Sequence, residues 1–239
     1  MARVPERPLL HVEGKNDLHA LAALLVEHDM PHDEKQRPLT YPEIKAAGND
    51  VSVVSLIEIE VRLQAGRPVG FIVDADDSPT QRWESIRSHL ERVGVEAPPT
   101  LPVDGFVRES STYKTRVGVW LMPDNSRPGM IEDFLRSLID AGDTLIVHAD
   151  ASTQTAKREH SARFIDVDQG KAVLACWLAW QEEPGKPYGT AVTAGFFQHD
   201  RPSAIAFVSW FRRLYGVPII GATEAFLRED VEWGLHGRE

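Results

Sequence analysis

Residues 69–77 read VGFIVDADD: an unbroken apolar and small-residue run that stops on three acids in four positions. A strand with no polar alternation is covered on both faces, as the central strand of a parallel sheet is. The residues that follow, SPTQRWESIRSHLERVG, change period. Ser78 suits a helix N-cap, Pro79 suits the first turn, and Trp83, Ile86, Leu90 and Val93 fall on one helical face. A buried strand that hands over to a helix through a cluster of acids restricts the chain to few architectures.

The same alternation recurs on either side. Residues 9–13 predict a buried strand, 16–28 a helix, 39–46 a weak strand and 51–65 a helix stopped by Gly66. After the Pro-rich connector APPTLPVDG, residues 116–125 predict another buried strand, and PGMIEDFLRSLID another helix. Strand–helix alternation from residue 9 to about 140 implies an α/β fold with a doubly wound, mostly parallel sheet flanked by helices. Residues 1–141 are expected to form that α/β domain. Residues 142–239 are expected to be a mainly helical extension, helical or partly irregular over 143–160 and helical over 169–182 and 203–215. Its aromatics Trp177, Trp180, Phe196, Phe197, Trp210 and Phe211 are expected to pack on the sheet domain.

Composition removes several classes of function. The formal net charge over 239 residues is -10, unlike the basic surface of proteins that coat nucleic acid non-specifically. An acidic protein can still act on phosphates when metal ions mask its carboxylates. One cysteine, Cys176, excludes a disulfide framework and a cysteine-based zinc site, and its apolar setting suits a small buried hydrophobe. The N-terminus lacks a long apolar h-region, and no run of 18 apolar residues exists, so a soluble, cytoplasmic protein without a membrane partner is expected. His28 and His32 are four apart, but Pro31 intervenes and Asp29 and Asp33 flank them, which suits a surface loop better than a zinc site.

In open parallel sheets, ligands bind beyond the carboxyl ends of the strands. Three predicted strands end in acids: Glu13 after the first, Asp74 and Asp76 after the central one, and Asp124 after the later one. Clustered carboxylates repel one another unless protons or cations compensate them, and magnesium takes oxygen ligands of this kind. Structural roles compete at several positions. Asp17 sits where a helix-entry acid would be ordinary, Glu132 likewise, Asp77 suits a turn or cap, and Asp124 with Asn125 suits a turn. Lys171, in DQGKA, is equally at home on a solvated helix face.

VEGKND at 12–17 followed by FIVDADD at 71–77 resembles the toprim domain of type IA and type II topoisomerases, bacterial primases and overcoming-lysogenization-defect nucleases. The resemblance implies that Glu13 is a general acid/base and metal ligand and that Asp74 and Asp76 hold magnesium, for which manganese can substitute. In the nuclease branch, Asp17 matches a further metal-binding acid, Glu132 in GMIEDF resembles a metal-binding glutamate at a helix start, and Lys171 matches a catalytic lysine. The layout of the whole chain is most similar to a stand-alone toprim-like family of bacterial and archaeal proteins. The departures narrow the activity: the chain has no GxxxxGK[ST] loop, no defensible active-site tyrosine context and no zinc module.

The resemblance therefore implies a magnesium-dependent, phosphodiester-cleaving protein acting on nucleic acid. Two ions could clamp the attacking and leaving oxygens. The alternative is a non-catalytic toprim module that binds metal and a nucleic-acid or protein partner. A third reading takes DADDSPT for the DxDx[TV] motif of haloacid-dehalogenase phosphatases, with Asp74 as nucleophile and Asp76 as acid/base. Against it, position 78 is serine, and a strand–helix–strand–helix unit precedes the motif.

Overall fold

A computed structural model of the chain describes residues 7–31, 37–48 and 52–218. Among these residues five strands form one sheet: β1 (Leu9–Val12), β2 (Glu43–Ala46), β3 (Val69–Asp74), β4 (Phe106–Glu109) and β5 (Arg116–Met122). Their order is β2-β1-β3-β5-β4. β1 pairs in parallel with β2 and with β3, β3 pairs in parallel with β5, and β4 runs antiparallel to β5 at the edge. The expected mostly parallel α/β sheet is therefore what forms. The edge strand β4 has no counterpart among the predicted strands. Its four residues, FVRE, are too short to display a period and owe their strand state to pairing with β5.

Among the described residues eight α-helices surround the sheet: α1 (Lys15–Val26), α2 (Val53–Leu63), α3 (Pro79–Glu91), α4 (Ile131–Ser137), α5 (Thr144–Glu159), α6 (Gln169–Ala179), α7 (Tyr188–Thr193) and α8 (Pro202–Tyr215). The period-2 alternation of strand side chains sorts them into two layers. On one face Val69, Phe71, Val73, Val117 and Val119 bury against Ile57 and Val61 of α2 and Trp83, Ile86 and Leu90 of α3. On the other, Leu10, Val12, Ile72 and Trp120 bury against α1, α4, α6 and α8 through Leu21, Phe134, Trp177, Phe207 and Trp210.

The helices after residue 142 thus share one core with the sheet. α8 lies over two register-paired glycines, Gly70 of β3 and Gly118 of β5. A Cβ at Gly70 would stand 2.6 Å from the Tyr215 hydroxyl oxygen, and one at Gly118 would strike Leu214. The absence of side chains there lets α8 settle on the sheet, and Tyr215 donates its hydroxyl proton to the Leu9 carbonyl at 2.7 Å. The aromatics Trp177, Phe197, Trp210 and Phe211 are buried as expected. Trp180 departs from that expectation: it is 43% exposed and lies against the His148 ring at 5.3 Å. It is the C-cap residue of α6, where the apolar face of the helix has already turned away. Cys176 is half-buried rather than buried. His28 approaches the His199 carbonyl at 2.9 Å, and His32 lies outside the described residues.

Candidate functional site

β1 is followed on one side by β2 and on the other by β3, so the chain reverses its direction of progress across the sheet between β1 and β3. Such a switch point opens a crevice at the carboxyl ends of the two strands. A cleft of about 900 Å³ occupies that position, and Glu13, Asp17, Asp74, Glu132 and Lys171 all line it. Five of the six predicted site residues, scattered over almost 160 positions of sequence, are thus brought to one place. Asp76 is the exception. It lines a separate, smaller depression of about 320 Å³ formed by the β3–α3 loop and the start of α3.

Three of the four acids accept a backbone amide proton, and the fourth, Glu132, accepts a side-chain hydroxyl proton. Glu13 Oε1 accepts the Asp74 amide proton at 3.1 Å, tying the end of β1 to the end of β3. Asp74 Oδ1 accepts the Ile131 amide proton at 3.1 Å, at the first turn of α4. Asp17 Oδ2 accepts the Gly14 amide proton at 2.7 Å, the return bond of a capping box at the start of α1. Glu132 is buried, and its Oε1 accepts the hydroxyl proton of Tyr188 at 3.1 Å. Asp17 therefore both closes a helix end and lines the cleft. Asp133 does only the first: its Oδ2 accepts the Met130 amide proton at 2.9 Å. Asp124 turns inward on its own loop, bonding Ser126 and Arg127, as a turn residue would.

Burial and crowding disfavour negative charge here. Desolvation pushes the Asp74 carboxyl up to about 9, with Glu13, Asp17, Glu132 and Asp76 adding repulsion. Asp17 rises to about 6, mainly through desolvation, offset by its Gly14 amide bond and raised again by Glu132 and Glu13. Glu13 rises for the same first reason, while the Asp74 amide and Arg82 pull it back. The Tyr188 hydroxyl is pushed up by burial and by the adjacent Glu132, so it stays a proton donor. Cations are confined to the rim, where Lys15, Arg82 and Lys171 line the opening. Lys171 Nζ stands 3.5 Å from Asp168 Oδ1 and is half exposed.

A family model described as "Protein of unknown function (DUF3226)" matches residues 7–216. The chain belongs to that family. No curated protein and no solved structure matches it. Two residues escape a reading of the sequence: Arg82, which lines the cleft, and Tyr188, which hydrogen-bonds Glu132 beside it. Tyr188 comes from α7, a six-residue helix after a Pro- and Gly-rich loop, with no periodicity to announce it. Gly189 beside it is the one clue. A Cβ there would stand 2.7 Å from the His19 carbonyl oxygen, so the glycine lets α7 press against α1 and reach Glu132. Arg82 falls on the first turn of α3, eight positions after Asp74, where the helix start brings it back to the strand end.

Proposed function

We propose that this cleft is a divalent-cation site for phosphoester hydrolysis and that the chain is a toprim-like, magnesium-dependent phosphodiesterase acting on nucleic acid. One observation carries the reading: four carboxyl groups from separate elements converge at a sheet switch point in a cleft that Lys15, Arg82 and Lys171 also line. The donor set is all oxygen, which suits magnesium or manganese and does not suit zinc or copper.

The residues that would hold the ion are Glu13, Asp17, Asp74 and Glu132. Among the described residues no three acids or histidines already surround a common point. A bound divalent ion would supply positive charge to the phosphoryl oxygens and to an attacking water. Glu13, with its raised proton affinity, is placed to take the proton of that water and return it to the leaving oxygen. Tyr188 fixes Glu132 by hydrogen bonding, as outer residues fix ligating carboxylates elsewhere.

The test is hydrolysis of labelled single- and double-stranded DNA and RNA with magnesium or manganese. Wild-type chain is expected to cleave one of them, and Glu13→Ala and Asp74→Asn are expected to abolish that cleavage while remaining folded. Cleavage at the wild-type rate in both variants sinks the assignment. A second reading, a non-catalytic module that binds metal and a nucleic-acid or protein partner, is favoured by Lys171. The ion pair with Asp168 engages the residue that the resemblance would make catalytic. Metal-dependent, salt-sensitive binding without turnover selects that reading.

A further inference from the structure

Arg82 is the only guanidinium that lines the cleft among the described residues, and it also lines the depression that holds Asp76. Its Nη2 donates to Asp76 Oδ2. The two partners are anchored very differently. Asp76 has φ +50, a left-handed conformation that aspartate tolerates better than most residues other than glycine. It is held there by two hydrogen bonds to Gly129, amide to carbonyl at 3.1 Å and carbonyl to amide at 2.8 Å. Arg82 hangs on a long side chain from the first turn of α3. The pair is solvated, with side chains 29% and 43% exposed, and such pairs are weak and readily exchanged.

We propose that Arg82 is the phosphate-binding arm of the cleft and that Asp76 parks it while the cleft is empty. The inference rests on the reading of the cleft as a phosphoester site and adds the residue that grips the substrate. A guanidinium fork matches two phosphate oxygens, which a single bond to Asp76 does not satisfy. Arg82 already reaches the acid floor electrostatically, since it favours the charged form of Glu13. An arriving phosphate replaces Asp76 on Arg82. The Asp76 carboxylate, which already bears on Glu13 and Asp74, is thereby freed as one more hard oxygen donor. This exchange accounts for the predicted site aspartate that lies outside the cleft, Asp76.

The experiment is titration of the full chain with inorganic phosphate, followed by ³¹P line broadening, in magnesium and again without metal. Arg82→Ala is expected to weaken phosphate binding about tenfold or more, the usual range for a charge-assisted contact. Arg82→Lys, which keeps the charge and loses the fork, is expected to lose about threefold to fivefold. Asp76→Asn is expected to tighten binding about threefold in the absence of metal, and this gain is expected to vanish in an Arg82→Ala background. Unchanged affinity in Arg82→Ala overturns the proposal, as does a gain from Asp76→Asn that persists without Arg82. If Arg82→Ala does not fold, Arg82→Lys and Asp76→Asn decide alone: no loss in the first or no gain in the second overturns it. The outcome is separable from the reading beneath it. Arg82-dependent phosphate binding in a chain that cleaves nothing keeps this inference and removes hydrolysis. Metal-dependent cleavage lost in Asp74→Asn, with phosphate binding indifferent to Arg82, does the reverse.

Discussion

Asp74 and Asp76 are two residues apart on one loop, yet they occupy opposite electrostatic worlds. Asp74 ends β3 inside the cleft, bonded to the first amide of α4 and surrounded by other acids, and its proton affinity is pushed up to about 9. Asp76 sits on the outer shoulder, 43% exposed and paired with Arg82. The difference teaches that a DxD spacing does not by itself give two equivalent ligands. A strand pleat alone would set positions two apart on one face, but Asp76 lies in a left-handed turn, and the two carboxylates line different depressions. One is a fixed part of the floor, and the other is engaged with a cation that the floor lacks.

The strongest way to break this comparison is activity. Asp74→Asn is expected to lower metal-dependent cleavage about a thousandfold or more, the scale of losing a principal electrostatic group. Asp76→Asn is expected to change it by no more than about tenfold. Equal losses in steady-state assays of the two variants would show that both acids are obligatory ligands. A smaller effect is expected one layer out. Tyr188→Phe removes the hydrogen bond to Glu132 and is expected to weaken manganese affinity about tenfold with the melting temperature nearly unchanged, as outer-layer substitutions do. Manganese titrations showing unaltered affinity would mean that Glu132 is positioned without it.

Stability separates the two aspartates in the opposite sense. A carboxyl whose proton affinity is raised on folding binds its proton more tightly folded than unfolded, so its contribution is most favourable below its unfolded value and is lost as pH rises. For Asp17 and Asp74 that window runs from their ordinary value of 3.8 up through about 6 and about 9. Metal-free Asp74→Asn is therefore expected to melt higher than wild type at pH 8, by about 2–8 °C for roughly 1–2 kcal/mol, and to lose that advantage near pH 4. Asp76→Asn removes only a solvated pair and is expected to cost about 1 kcal/mol or less at either pH. His11 acts with the other sign. Buried and lowered to about 4, it binds a proton less readily folded than unfolded, and so destabilises the chain as pH falls from about 6.5 toward 4. Melting curves across that range on His11→Gln, which cannot titrate, are expected to be flatter than those of wild type.

Much of this layout was legible in the sequence because it rests on short-range physics. The continuous run VGFIV announces a doubly covered strand, and β3 is the middle of the sheet. Leu18, Leu21, Leu24 and Leu25 announce α1 by their spacing. The meeting of Glu13 and Asp74 in one cleft was legible because strand ends in a parallel sheet share one edge. Asp17 both closes the start of α1 and lines the cleft. What stayed hidden depends on tertiary context. β4 exists only because β5 offers it an edge, and Tyr188 reaches Glu132 only because Gly189 lets α7 close on α1. Asp76 was grouped with Asp74 by its spacing, and a backbone turn with φ +50 undoes that grouping. The partner of Asp76, Arg82, is set by the way α3 starts, which residue spacing alone does not display.

The most direct measurement of the central claim is manganese binding to metal-free chain, read from the loss of the free-ion EPR signal. Wild type is expected to bind with saturable affinity, Asp74→Asn to lose binding by at least about tenfold, and Asp76→Asn to retain it within about threefold. Wild-type and Asp74→Asn chains that bind manganese equally, or not at all, would contradict the assignment of the cleft as a divalent-cation site.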